Sequence, residues 1–125
     1  TSDEECVRRK VLRSADVDSG QFVNAIYENV FNDISIEALA TLTNRSLTSF
    51  KKEFSRLFNA SPHKWIIGQR LDRAKILLSS TSRTVSEIGA ECGFSNISHF
   101  IKLFKQRYNR TPASYRKREL TTQLP

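Results

Sequence analysis

The sequence predicts an all-α fold of about seven helices, with two helix-turn-helix subdomains joined by a long central helix. Three observations carry this. Phe50, Phe54, Phe58, Pro62 and Trp65 recur, fifty residues on, as Phe100, Phe104, Tyr108, Pro112 and Tyr115. Apolar residues return at spacings of three and four, and no stretch keeps the two-residue alternation of a strand. Hydroxyl residues, asparagines, a glycine and prolines stand where the periodic runs stop and start, as helix ends require.

The chain has 125 residues, of which 38% are hydrophobic. That suffices for one compact unit or two very small ones. The formal charge is +7 and is uneven: residues 1–44 hold eight acids and four bases, residues 45–125 five acids and sixteen bases. A basic block behind an acidic preface points to a polyanionic partner, nucleic acid first. Charge alone leaves a merely soluble basic protein equally open. Cys6 and Cys92 form neither a zinc set nor a disulfide framework, which fits a reducing, cytoplasmic setting. No signal peptide is visible, and no run reaches the roughly 18 apolar residues of a membrane span, so no membrane contact is expected. The chain begins at Thr1 and contains no methionine. The expectation is therefore a fragment whose N-terminal partner domain is missing.

The elements follow in order. Residues 1–18 are charged and weakly periodic, a linker or helix stub. Ser19 is the expected cap of a helix that presents Phe22, Ile26 and Val30, with Val23 and Phe31 alongside. In copy one, Ser35 caps a short helix over Ile36–Leu42, Thr43–Arg45 turn, and Ser46 caps a longer helix running to Phe58. Pro62 to about Ser79 reads as one helix with Trp65, Ile66, Leu71, Ala74, Leu77 and Leu78 as its apolar stripe. In copy two, Thr84 with Glu87 three residues on makes a capping box. Its first helix ends near Cys92, Gly93 takes the positive φ of the turn, and its second helix runs from about Asn96 to Tyr108. Ile36, Leu39 and Ala40 recur as Val85, Ile88 and Gly89 at an offset of forty-nine. Copy two therefore carries one extra residue in its turn. Ala40 and Gly89 supply the small residue where each short helix crosses a long one. Asn59 and Asn109 suit left-handed helix ends, and Ser61-Pro62 and Thr111-Pro112 each open a further helix. The expected division is 19–61 and 81–118 for the two subdomains, 62–80 for the connecting helix and 119–125 for a flexible tail.

Each long helix is two-faced. On the first, Leu47, Phe50, Phe54, Leu57 and Phe58 share one side. Thr48, Ser49, Lys52, Ser55 and Arg56 share the other, with Lys51 at the flank. On the second, Ile97, Phe100, Ile101, Phe104 and Tyr108 point in, while Ser98, His99, Lys102, Lys105 and Gln106 point out. The aromatics, with Trp65 and Tyr115, read as core anchors rather than a base-stacking platform, and Cys92 as a small core residue. The ten outward positions hold hydroxyls and cations without an acid, whereas a solvated face mixes signs. A helix-turn-helix sets its second helix into the DNA major groove. There Thr48 and Ser98 permit close approach, and Lys52, Lys102 and His99 can donate to guanine O6 or N7. Ser55, Arg56 and Lys105, further along, are better placed for phosphates. The plain alternatives are surface lysines and an idle surface histidine. His63 is the only other histidine, so no metal site is expected. Ser46 and Ser98 lack a His-Asp set, so no catalytic residue, cofactor or enzyme activity is expected. A protein-interaction or RNA-binding helical module remains as a competing reading, although RNA duplexes close their major groove to a helix. An enzyme built on this fold, such as a DNA-repair protein, would need cysteines that this chain lacks.

Ile88-Gly89, Cys92-Gly93-Phe94, Ser98-His99-Phe100, Phe104-Lys105, Thr111-Pro112 and Tyr115-Arg116 together resemble the signature of the AraC/XylS transcription regulators' DNA-binding domain. Arg70-Leu71, Ala74 and Leu77-Leu78 are similar to that family's linking helix. The resemblance covers about 19–118. Departures are Gly89 where alanine is usual, Asn109 where glycine is usual, Asn44 for glycine in the first turn and His99 for a common tyrosine. The resemblance implies homeodomain-like subdomains and a bacterial, sequence-specific regulator, usually an activator. Its two reading helices, about 46–58 and 96–108, would enter successive major grooves of double-stranded DNA over a site of roughly 20 base pairs. It implies Thr48, Lys51, Lys52, Ile97, Ser98, His99 and Lys102 as base-facing, and Ser46, Ser55, Arg56, Asn96 and Lys105 as phosphate contacts. It further implies RNA polymerase as a partner and an N-terminal sensory or signalling domain.

Overall fold

The computed structural model describes residues 17–123. Among them lie seven helices and no strand: α1 (Val17–Asn29), α2 (Ile36–Leu42), α3 (Leu47–Phe58), α4 (Pro62–Ser80), α5 (Val85–Glu91), α6 (Ile97–Tyr108) and α7 (Pro112–Gln123). They form two compact units. Among the described residues, the first holds 17–30 and 34–66, and the second holds 31–33 and 67–123. The long helix α4 thus begins in one unit and ends in the other.

The first unit closes around Phe22, Val23 and Ile26 of α1, Leu39 and Ala40 of α2, Phe50 and Phe54 of α3 and Ile66 of α4, all buried. Its rings are in contact: Phe22 and Phe50 have centroids 5.2 Å apart, Phe54 and Phe58 stack at 4.3 Å, and Trp65 meets Phe54 edge-on at 5.6 Å. Such contacts add stabilisation beyond the apolar area they bury.

The second unit has a core of Leu71, Ala74, Leu78, Ile88, Cys92, Phe94, Phe100 and Phe104, with Tyr108 and Tyr115 packed against it. Burial lifts the Cys92 thiol to about 11, consistent with a core residue rather than a reactive one. Arg70 is also buried, and its Nη2 donates to the Asn32 carbonyl at 2.6 Å. Its pKa is pushed down by that burial, opposed by the Asp33 carboxylate. This bond ties the short stretch 31–33 to the second unit, where Arg73 also lies over the Phe31 ring at 4.7 Å. Arg116 donates to the carbonyls of Leu78 and Thr81 at 3.0 and 3.1 Å. It places a cation on the negative end of α4.

The helix ends follow local chemistry. Ser35, Ser46, Thr84 and Asn96 each accept a backbone N–H of the first turn, and Thr84 with Glu87 closes a reciprocal capping box. Asn59 and Asn109 are left-handed, at φ 54° and 60°. The two turns match one another. Asn44 and Gly93 both have positive φ, and the N–H groups of Arg45 and Phe94 donate to the Ala40 and Gly89 carbonyls, each at 2.9 Å. The extra residue of copy two is therefore Ser95.

Two expected boundaries move. Ser19 is not the cap of α1, because the helix already runs from Val17 and Ser19 is buried inside it. Ser19 stands three and four residues before Phe22 and Val23, on the face that packs, so core burial draws its backbone into the helix. At the other end, α7 continues to Gln123, so residues 119–123 are helical rather than a separate tail. The reading of residues 1–16 as a linker or stub, and the tail's last two positions, lie outside the described residues.

Candidate nucleic-acid interface

Each unit carries one two-faced, twelve-residue helix. On α3, Phe50 and Phe54 are fully buried while Thr48, Ser49, Lys51, Lys52, Ser55 and Arg56 are exposed. On α6, Phe100 and Phe104 are fully buried while Ser98, His99, Lys102, Lys105 and Gln106 are exposed. The aromatic rows fix the roll of each helix, because rotating either would drag a phenylalanine into water. The short preceding helix sets the other constraint. An added Cβ on Gly89 of α5 would stand 2.9 Å from the Phe100 ring and 3.1 Å from Ile97 Cδ1, so α5 and α6 cross with almost no space between them.

Caps orient the helix starts. The Ser46 hydroxyl oxygen accepts from the Ser49 N–H at 3.2 Å, and Asn96 Oδ1 accepts from the His99 N–H at 3.1 Å. The acceptor oxygens of these two predicted phosphate contacts are thus taken up by the fold, leaving the Ser46 O–H and Asn96 amide N–H groups as donors beside each helix N-terminus. An anion is favoured there by the unpaired amides and the helix dipole.

Most of the predicted site residues come together on the two exposed faces; Ile97 does not. It is half-buried and packs on the second unit's core. Its position at the start of α6 gives the resemblance-based expectation, but its side chain fills the crossing that Gly89 opens. Arg56 is exposed as expected yet is paired with Glu53, whose carboxylate it meets through Nη2 and, at 3.4 Å, through Nε. Glu53 is not among the outward positions; it sits half-sheltered at the helix flank, and Arg56 reaches to it across one turn. Among the described residues, Lys51, Lys52, Lys102 and Lys105 have no ion pair. Arg107 on α6, by contrast, is held by Asp72 of α4 at 3.2 Å, and Asp72 also accepts from the Tyr108 hydroxyl. Burial, with the Asp72 hydrogen bond second, raises the Tyr108 phenol to about 12. Among the described residues no group of histidines, cysteines and acids is placed to hold a metal ion, and no helix is long and apolar enough to cross a membrane.

A sequence profile described as a helix-turn-helix domain matches residues 39–118, from within the first short helix to the middle of the last helix. Among solved structures, a probable AraC family transcriptional regulator from Rhodopseudomonas palustris is similar over 83% of this chain and 98% of its own, with 30% identity and a TM-score of 0.63. The chain belongs to the AraC/XylS family. It carries that family's helix-turn-helix DNA-binding domain. The DNA-binding domain of AdpA, a global transcriptional factor solved in complex with a target DNA, is similar at a TM-score of 0.76, with 26% identity, over 84% of this chain and 95% of that one. A curated relative, an uncharacterized helix-turn-helix transcriptional regulator of Haemophilus influenzae, is 36% identical over 93 residues, 74% of this chain and 31% of the relative. The AraC-type chain described here spans about a third of the length of the first curated relatives it matches.

Proposed function

We propose that this domain is the sequence-specific, duplex-DNA-reading output module of a bacterial transcription activator. The observation that carries the reading is the duplication of one surface. Two N-capped helices of equal length, each rolled by a buried aromatic row, expose hydroxyls and lysines. A chain that needed only solubility would have no reason to keep that face twice. Under this proposal α3 and α6 enter successive major grooves across a site of roughly 20 base pairs, one helical turn between module centres. Thr48, Lys51, Lys52, Ser98, His99 and Lys102 meet base edges. Ser46, Ser55, Arg56, Asn96 and Lys105 meet phosphates, Ser46 and Asn96 through the donors that capping leaves over. Ile97, half-buried at the α5–α6 crossing, joins the base-facing set only through its exposed edge. The structure with bound DNA among the similar proteins supports the DNA-binding part of this reading. Contact with RNA polymerase and control by a sensory or signalling domain belong to the same proposal.

Selection from a random duplex library at two salt concentrations tests it. The expected result is a motif with two blocks about one turn apart and an affinity that falls steeply with salt. A single block would assign reading to one helix alone. Salt-sensitive binding with no preferred sequence would refute sequence reading by this domain.

A further inference from the structure

The fifty-residue offset gives each position of α3 a counterpart on α6, and one pairing breaks the chemistry of the reading helices. Glu53 stands where copy two has Leu103. It is the only acid on either helix. The side chains of the pair differ in exposure, 22% for Glu53 against 60% for Arg56. The carboxylate is therefore partly sheltered at the helix flank, and the guanidinium reaches over to it from the exposed face. Both carboxylate oxygens are engaged, one by Nη2 and one by Nε. On α6 the matching positions are Leu103 and Gln106, so copy two has neither partner.

We infer that Glu53 is a specificity-determining residue: by holding Arg56 across one turn of α3 it withholds a cation from non-cognate DNA. The inference rests on the DNA-reading proposal above. An arginine on a reading helix gains affinity from any phosphate, whatever the sequence, and this gain dominates non-specific binding. Pairing it with a carboxylate on the same helix cancels that gain in two ways. The fork is already occupied in the unbound protein, so a phosphate must displace a two-point partner. The displaced Glu53 carboxylate would then face the DNA backbone unpaired. Only a site whose other contacts seat α3 deeply offsets both costs. Discrimination rises because wrong sequences are penalised, rather than because the right one gains a contact. Lys51 and Lys52 of α3, like Lys102 and Lys105 of α6, are free of ion pairs among the described residues, so Arg56 is the cation that this pairing restrains.

The test uses the nearly isosteric Glu53→Gln, checked for unchanged helicity by circular dichroism. Affinity is measured for the selected site and for a scrambled duplex between 50 and 300 mM salt. Releasing one cation onto a phosphate should steepen the slope of log K against log salt by about 0.9 on the scrambled duplex, about eightfold tighter binding at 0.1 M relative to 1 M. The selected site should change less, so the ratio between the two falls. A double-mutant cycle with Arg56→Gln follows, and there Glu53→Gln should lose most of its effect. If Glu53→Gln leaves the scrambled duplex unchanged, or acts equally with and without Arg56, the inference is overturned while the wild-type motif still stands. If the wild type selects no motif, the DNA-reading proposal itself has failed.

Discussion

Gly93→Ala is the substitution that most directly probes how the second helix-turn-helix is built. Gly93 has a φ of +102°, and a Cβ there would stand 2.8 Å from the Phe31 carbonyl oxygen and 2.9 Å from Arg70 Nε. Two costs add. An L-residue forced into that region is strained by about 1–3 kcal/mol. The atoms in the way are backbone and a buried guanidinium, so relief requires moving the Arg70 hydrogen bond to Asn32, a charge-assisted bond of about 1.5–3 kcal/mol. Loss of glycine's freedom in the unfolded chain returns about 0.4–1 kcal/mol. The net expectation is about 3 kcal/mol of destabilisation. In urea, with a slope near 1 kcal/mol/M for a unit of this size, the midpoint read by circular dichroism should fall by about 3 M. Gly93→Asn separates the two costs. Asparagine tolerates positive φ, as Asn44 does at the matching position of copy one with φ 57°, but it carries the same Cβ. It should recover part of the strain cost yet stay destabilising by about 2 kcal/mol, because the Arg70 bond must still move. If Gly93→Asn instead approaches wild-type stability, backbone conformation alone selects glycine here and the close-approach argument is wrong.

Other outcomes can be stated more briefly. Reversing the charge at Lys52 and Lys102 together should abolish binding to the selected duplex while leaving helicity intact; retained binding in a mobility-shift assay would remove these lysines from the interface. Thr84→Ala removes the cap of α5 and should cost about 1 kcal/mol in chemical denaturation. Glu87 is held below the usual carboxylate range by its bonds to Thr84. Its share of stability is therefore present above the unfolded carboxylate pKa and lost as pH falls through the lower folded value, so the gap between Thr84→Ala and wild type should narrow in acid. Tyr108 has the opposite sign. With its phenol at about 12 in the folded chain and near 10 unfolded, its hydrogen-bonded proton contributes fully below pH 10 and fades as pH rises toward 12. Wild type and Tyr108→Phe should converge over that window in denaturation experiments, and parallel curves would contradict the raised phenol that burial, and secondly the Asp72 bond, produces.

What the sequence reveals and what it hides divide along chain separation. The aromatic rows, the caps at Ser35, Ser46, Thr84 and Asn96, and the left-handed Asn59 and Asn109 all rest on spacings of a few residues or on a constant offset, so they are legible. The start of α1 is not, because the cap chemistry of Ser19 is local while the packing that draws Ser19 into the helix is not. The Arg70–Asn32 bond spans thirty-eight residues, and Arg107 and Tyr108 reach Asp72 across thirty-five and thirty-six. No local pattern announces such contacts. At the site, the exposed lysines follow directly from helical period. So does the inward side of Ile97, which only the family resemblance turns toward DNA; Glu53 does not, since it sits at the border between faces, where period assigns a side but not what the side chain does.

The bond from Arg70 to Asn32 also bears on how such a chain can be divided. The second unit takes three residues from a stretch that is otherwise the first unit's, so no single cut in the backbone yields two whole halves. A fragment beginning at Ile67 would keep a guanidinium built for burial and lose the carbonyl that receives it. Shuffling whole subdomains between relatives would meet the same obstacle, whereas a segment such as 42–61, bounded by turns at both ends, carries α3 and leaves the clasp closed. For a lineage or a laboratory recombining such chains, the exchangeable part is α3 with its flanking turns, and the subdomain around it travels only as a pair.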